Sequence, residues 1–302
     1  MNNEEQSATK VSSNGCSCPP SQYSFNASAY GFAAELRRPV RQSIETQAAS
    51  VLAADGGQSH ARVLDFKFNS FISVADAHTE VSGSYDPCHD IHTTTAYSTL
   101  EKVNVADVLT ADRIVARLTV YSYADDKETS FSITGSHFEN LKIAGHKVEV
   151  KWPTSTFTAY ETFSGVAAAG AWMVGTELAK LESGALKALE ETYHALKGMT
   201  GLINAWKKTD PNRSAYVLSP ANQVSLEDHK NAQVKNNDWI GAGIQQFGNV
   251  FCIPKFGVIR LAELVVHKHC RNLTMFRVHM CSGTDGSGSG GGTVGSGGST
   301  GP

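Results

Sequence analysis

The sequence predicts a mainly β protein, an antiparallel β-sandwich of jelly-roll-like form with an α-helical insertion at about residues 157–207. Three observations lead there. From about residue 28 to residue 150, apolar side chains recur at every second position, the period of a strand with one buried face. Between Pro153 and Lys208 the period lengthens to three or four, the spacing of an amphipathic helix. Strand-like apolar runs return at Val250 and continue to Met280.

In the first region, His60 to Asp76 reads as one long strand. Leu64, Phe66, Phe68, Ile72 and Val74 share one face, and Asp65, Lys67, Asn69 and Ser73 the other. Ile91 to Leu100 is rich in Thr and Tyr. Arg113 to Tyr123 alternates Ile114, Ala116, Leu118 and Val120 against Arg117 and Thr119, so both runs read as strands. Asp107 to Asp112 reads as a short helical turn or a bend. Leu141 to Val150 is a hairpin, with Gly145 supplying the positive φ of its turn.

In the insertion, Leu178, Leu181, Ala185, Leu189, Tyr193, Leu196, Met199, Ile203 and Trp206 form an apolar stripe, broken near Gly198 and Gly201. A helix packed on the sheet accounts for this stripe. The apolar run Val166 to Val174 also suits a helix that binds a membrane surface or a partner. Asp210 to Gly248 reads as loop with a short element around Trp239 to Phe247. Strands follow at Val250–Ile253, Val258–His267 and Leu273–Met280. A turn centred near Arg271 sets Glu263 opposite His279, Val265 opposite Arg277 and His267 opposite Met275. Ala262, Leu264, Val266, Phe276, Val278 and Met280 then face the core. This closing hairpin must return to the first sheet, because two or three strands alone are marginal.

The chain divides into a disordered head (1–20), a single domain (21–281) and a tail (282–302) in which 15 of 21 residues are Gly or Ser. Such a tail buries no apolar side chains and is expected to be flexible. Its G-x-G-x-x-G match at Gly286, Gly288 and Gly291 has no helix pattern after it and is a product of composition. The formal charge of −3 offers no basic excess for nucleic acid. The longest apolar stretch, Gly165 to Gly175, falls well short of a membrane span. No basic and apolar leader pattern is visible, so the expected location is cytoplasmic. Cys16, Cys18, Cys88, Cys252, Cys270 and Cys281 are then expected as reduced thiols.

Two clusters carry metal-ligand chemistry: Cys88-His89-Asp90-Ile91-His92 and His267-Lys268-His269-Cys270. Zinc accepts imidazole and thiolate, so Cys88, His92, His267 and His269 are candidate ligands, with Glu263 or Asp90 as general base for hydrolysis. The bland alternative puts these side chains on solvated strand faces and turns. The sequence has no H-E-x-x-H, no paired C-x-x-C, no G-x-S-x-G elbow and no P-loop lysine. Tyr97, Tyr121, Tyr123 and Trp152 suit either a sugar-binding surface or cross-strand packing.

The stretches Thr99-Leu-Glu-Lys-Val-Asn-Val-Ala-Asp-Val-Leu-Thr-Ala-Asp112-Arg-Ile-Val-Ala116, Gly135-Ser-His-Phe-Glu-Asn-Leu-Lys-Ile-Ala-Gly145, Pro254-Lys-Phe-Gly-Val-Ile-Arg-Leu-Ala-Glu263 and Leu273-Thr-Met-Phe-Arg-Val-His279 resemble a bacterial family of β-domain proteins of the choice-of-anchor P kind. The resemblance implies a surface or secreted β-domain, and it carries over no catalytic residue. The sequence thus points to a non-catalytic β-sandwich module, structural or for recognition, with a protein or carbohydrate partner, self-assembly as a homo-oligomer and no cofactor. The competing readings are a zinc-dependent hydrolase using Cys88, His92, His267 and His269, and a helix-mediated membrane or assembly protein.

Overall fold

A computed structural model describes residues 23–36, 42–123, 127–152, 162–169, 181, 183–193, 196, 215–218, 223–226, 238–239, 243–280 and 293–301. The expected head lies outside them. The described chain is mainly β, with two antiparallel sheets facing each other in a sandwich-like arrangement.

One sheet is built from long meandering strands: β4 (Gly57–Phe68), β5 (Ile72–Asp86), β6 (Ile91–Val105) and β7 (Leu109–Tyr123). Three short strands share the far side of β7: β8 (Ser130–Ser132), β9 (His137–Glu139) and β10 (Lys142–Ile143). Beyond β10 come β11 (His146–Lys151) and β13 (Gln223–Leu226).

The second sheet begins with β1 (Asn26–Leu36), β2 (Gln42–Gln47) and β3 (Ser50–Val51). It continues with β12 (Ala215–Leu218), β14 (Asp238–Trp239), β15 (Ile244–Phe247) and β16 (Val250–Ile253). The strands β17 (Gly257–His267), β18 (Arg271–Met280) and β19 (Thr293–Gly301) close it. Its order is β14-β15-β16-β17-β18-β19-β1-β2, with β12 beside β17 and β3 beside β1.

The core lies between the sheets. Leu100, Leu109, Ile114, Leu118 and Phe131 meet Phe32, Phe251, Ile259, Leu261 and Phe276, all at 1% exposure or less. Full burial of such a side chain stabilises the fold by roughly 1.5–3 kcal/mol. A smaller cluster of Phe25, Ala27, Ala29, Leu52, Val81 and Ala96 fills the β1 end. Small residues there let the sheets approach, and the Ser98 hydroxyl of β6 donates directly to the Tyr30 carbonyl of β1 at 3.0 Å.

Four sequence expectations need correction. The run His60–Asp76 is two strands, β4 and β5, joined by a tight turn at Asn69 (φ 48°). Within β4, Asp65 takes a positive φ (51°) that inverts the alternation while the register to β5 is kept. Phe66 and Phe68 still pack on the core, but Leu64 points outward at 59% exposure. Asp107 sits with Ala106 in a hairpin turn (φ 54° and 53°), and β7 already begins at Leu109.

The closing hairpin turns at Lys268–His269, where the His267 N–H donates to the Cys270 carbonyl at 2.7 Å. Glu263 therefore faces Thr274, Val265 faces Asn272 and Arg260 faces Arg277. A positive φ at Ala262 (49°) inverts the alternation with the register to β18 kept, so both Leu261 and Leu264 lie in the core. The expected core positions Leu264, Val266, Phe276 and Val278 are found there.

The expected flexible tail is the fourth difference: residues 293–301 form β19, inserted between β18 and β1. Backbone hydrogen bonds need no apolar side chain, so composition does not reveal this strand. Residues 282–292 lie outside the described residues.

Of the insertion, α1 (Phe163–Ala169) and α2 (Ser183–Thr192) are described. Val166 joins the main core. Leu186, Tyr193 and Leu196 pack on Phe247, Val250, Cys252 and Val258, so α2 lies on the outer face of β15–β17 as a sheet-packing helix would. This cover is why β16 is buried at all four of its positions. The predicted stripe positions Leu178, Met199, Ile203 and Trp206 lie outside the described residues. No helix among the described residues is long and apolar enough to cross a membrane.

Candidate functional site

Because Ala96, Leu100, Ala116, Leu118 and Val120 turn inward, the alternate residues of β6 and β7 form the outer face of their sheet. Register aligns these outward residues in rows across the strands. One row reads Gln58, Ser82, Thr95, Thr119 and Ser132, one residue from each of β4, β5, β6, β7 and β8. Every side chain in it is a hydroxyl or an amide, and at ~4.8 Å per strand the row extends over about 19 Å. Gln58 is exposed, Ser82, Thr95 and Ser132 are half-buried, and Thr119 is 7% exposed.

Two further rows flank this one, each carrying a tyrosine. On one side stand His60, Glu80, Tyr97 and Arg117, again aligned by register. On the other, Ser84, Thr93, Tyr121 and Ser130 form the next row. The result is a trough floored by short hydroxyls and walled by two tyrosines, an arginine and a carboxylate.

Its parts are held in place. The Thr95 and Thr119 hydroxyls lie 3.2 Å apart, and the Thr99 hydroxyl donates to the Tyr97 phenol oxygen at 2.7 Å. Gln58 donates to Glu80. The Ser136 hydroxyl accepts from the Arg117 N–H at 2.8 Å and donates to the Arg117 carbonyl at 3.1 Å, fixing the backbone beneath that guanidinium. Beyond the wall, Arg62 grips Asp76 through two hydrogen bonds of 2.9 and 2.6 Å. That hydrogen bonding holds the Asp76 carboxyl below its ordinary range.

Of the aromatic residues singled out in the sequence, Tyr97, Tyr121 and Tyr123 do share this face. Tyr123 lies at its end, with the Lys127 ammonium 5.6 Å from its ring. Trp152 instead packs on the main core, its ring 6.2 Å from that of Phe138. The floor residues Gln58, Ser82, Thr95, Thr119 and Ser132 were not singled out. The alternation of Thr93, Thr95 and Thr119 hinted at an outward hydroxyl face, but the row exists only through inter-strand register.

The candidate metal ligands are placed differently. Cys88, His89 and Asp90 occupy the exposed β5–β6 turn. There Asp86 accepts from the His89 ring at 2.7 Å and from the Cys88 N–H at 2.9 Å, which together lower the Asp86 carboxyl. Asp90 accepts from the Tyr85 phenol at 2.8 Å. His92 points inward at 4% exposure, stacked between Tyr23 and Tyr85 with ring centroids 3.9 and 4.6 Å away. Burial lowers its imidazole. His267 ends β17 and His269 sits in the following turn, both exposed.

Among the described residues, no three His, Cys, Asp or Glu side chains gather as a group fit to hold a metal ion. Glu263, the candidate base, is 4% exposed and has Arg260 at 3.0 Å on one oxygen and Arg277 at 3.3 Å on the other. His279 beside them is pushed down to about 4, mainly by burial and then by the two arginines. Cys88 is a free, exposed thiol.

A family model, Domain of unknown function (DUF8256), matches residues 23–267. The chain belongs to the DUF8256 family. The matched span of the DUF8256 domain contains the whole trough and all but two strands of the closing sheet. No curated protein and no solved structure matches the chain.

Proposed function

We propose that the DUF8256 domain is a non-catalytic recognition module that binds a carbohydrate chain along the trough on the β4–β8 face. One observation carries this reading: the unbroken row of Gln58, Ser82, Thr95, Thr119 and Ser132 between Tyr97 and Tyr121. A hydroxyl both donates and accepts, so such a row can match the hydroxyls of successive sugars without a fixed polarity. Tyrosine adds a flat apolar surface for the C–H face of a sugar ring, with a polar tip beside it. Glu80 and Arg117 add one charge-assisted acceptor and one donor group. The Glu263 carboxylate, engaged by two arginines, supports a structural rather than a proton-transfer role for that residue.

The test is a glycan array followed by titration calorimetry of the best ligand. Thr95→Val and Thr119→Val keep side-chain shape and remove one hydroxyl each, so affinity should fall about tenfold per substitution. Tyr97→Ala should abolish binding. Binding that survives all three substitutions, or an array silent at high protein concentration, overturns the proposal.

A further inference from the structure

β18 and β1 do not pair with each other; β19 joins them. It pairs with β18 from Arg271↔Thr300 to His279↔Thr293, and with β1 from Asn26↔Gly301 to Glu35↔Thr293. Lifted out, it would leave two facing strand edges about 10 Å apart, each with unpaired N–H and C=O groups. The β1 wall and the floor beneath this gap carry several small residues. Ala27, Ala29 and Ala34 of β1 are buried, as are Ala96 of β6 and Ala116 of β7. The Ser98–Tyr30 hydrogen bond shows how closely the sheets approach there. Such a gap admits a strand of small residues, and eight of the nine residues in Thr293–Gly301 are Gly, Ser or Thr.

The connection is far longer than the pairing requires. His279 faces Thr293, a spacing that a hairpin loop of about 2–5 residues would close. Nine of the twelve residues in 281–292 are instead Gly or Ser. A chain of that composition and length has a typical reach of about 20 Å. It holds its strand near the gap at an effective concentration on the order of millimolar.

We propose that the gap between β18 and β1 is a strand-acceptor site, filled in cis by residues 293–301 and able to take the same strand from a second copy of this chain. The bonds are main-chain bonds, identical from either source, so only the tether favours the cis strand. The matched family span ends at residue 267, so β18 and β19 lie outside it.

The experiment uses the full chain, the full-chain variant Gly297→Pro, and a labelled synthetic peptide of residues 290–302. Proline has no N–H to give the ladder, so the variant should vacate the gap. The variant should bind the peptide one-to-one with a dissociation constant near 10 μM, and the wild type about 100-fold more weakly. A peptide with Gly295 and Gly297 both replaced by Leu should bind neither. A folded variant that ignores the peptide overturns the acceptor site.

Should Gly297→Pro fail to fold, the wild type decides. Peptide at about 10 mM should displace the cis strand, with β18 and β1 amides still protected from hydrogen exchange; no displacement overturns the proposal. For the second copy, two differently tagged wild-type chains mixed near 1 mM should give mixed dimers that excess peptide dissolves. Their absence overturns exchange between copies.

Discussion

Tyr23 stacks on His92 with ring centroids 3.9 Å apart and an interplanar angle of 7°, closing one end of the sandwich. Burial disfavours the charged form of His92 in the folded protein and lowers its imidazole. The unfolded chain has no such penalty and takes up a proton near the ordinary histidine value of 6.5. Below that pH the unfolded state binds more protons than the native state, so stability falls as pH falls. His279, lowered to about 4, acts in the same direction between 6.5 and about 4. The melting temperature should therefore drop from pH 7 to pH 4.5, and His92→Phe, which keeps an aromatic ring in the stack, should flatten part of that slope. An unchanged slope in His92→Phe would exclude His92 as a contributor.

Glu263→Gln should destabilise the fold by about 2–3 kcal/mol in urea unfolding. Breaking a fully buried ion pair costs about 3–5 kcal/mol, and the lower figure reflects the partial exposure of Arg277. The loss comes from leaving Arg260, whose side chain is 15% exposed, without its carboxylate. Glu263→Asp should not restore the contact, because the carboxylate would stop one methylene short of both guanidinium groups.

Gly83 is needed for space. A Cβ there would meet the Phe25 ring at 2.6 Å and the Leu52 side chain at 2.8 Å, both buried. Gly83→Ala should cost about 1–3 kcal/mol by overpacking, measured by chemical denaturation. At Gly184 nothing lies within 4 Å of the same atom, so Gly184→Ala on α2 should be neutral or slightly stabilising.

The histidine and cysteine clusters should behave as separate side chains. Cys88→Ala, His267→Ala and His269→Ala alter exposed positions and should each change stability by no more than about 0.5 kcal/mol. His92→Ala should destabilise markedly through the lost stack. Mass spectrometry of protein prepared without chelator should find far less than one zinc per chain. Stoichiometric zinc, released together by all four substitutions, would restore the metal-site reading.

Elements whose side chains keep one period were legible in the sequence. Ile114, Ala116, Leu118 and Val120 marked β7, and Gly145, with φ 84°, marked the turn between β10 and β11. Asp65 and Ala262 hid their strands' true faces, because a single residue at positive φ inverts the alternation without any compositional mark. The Lys268–His269 turn lacks the usual Asn or Gly, and buried Arg271, which donates to the His267 carbonyl at 2.9 Å, resembled a turn residue. The trough was illegible for a different reason. Gln58 and Ser132 are 74 positions apart and become neighbours in one row only through four successive strand pairings.

The far side of β7 is shared by β8, β9 and β10, each only two or three residues long. Beside the trough, the described sheet ends at the three-residue β8, while β10 continues into β11 and β13 further along. Among the described residues, this margin offers a neighbouring chain no run of N–H and C=O groups long enough to template another strand. Molecules of this protein can crowd together, trough beside trough, without this margin seeding fibrils.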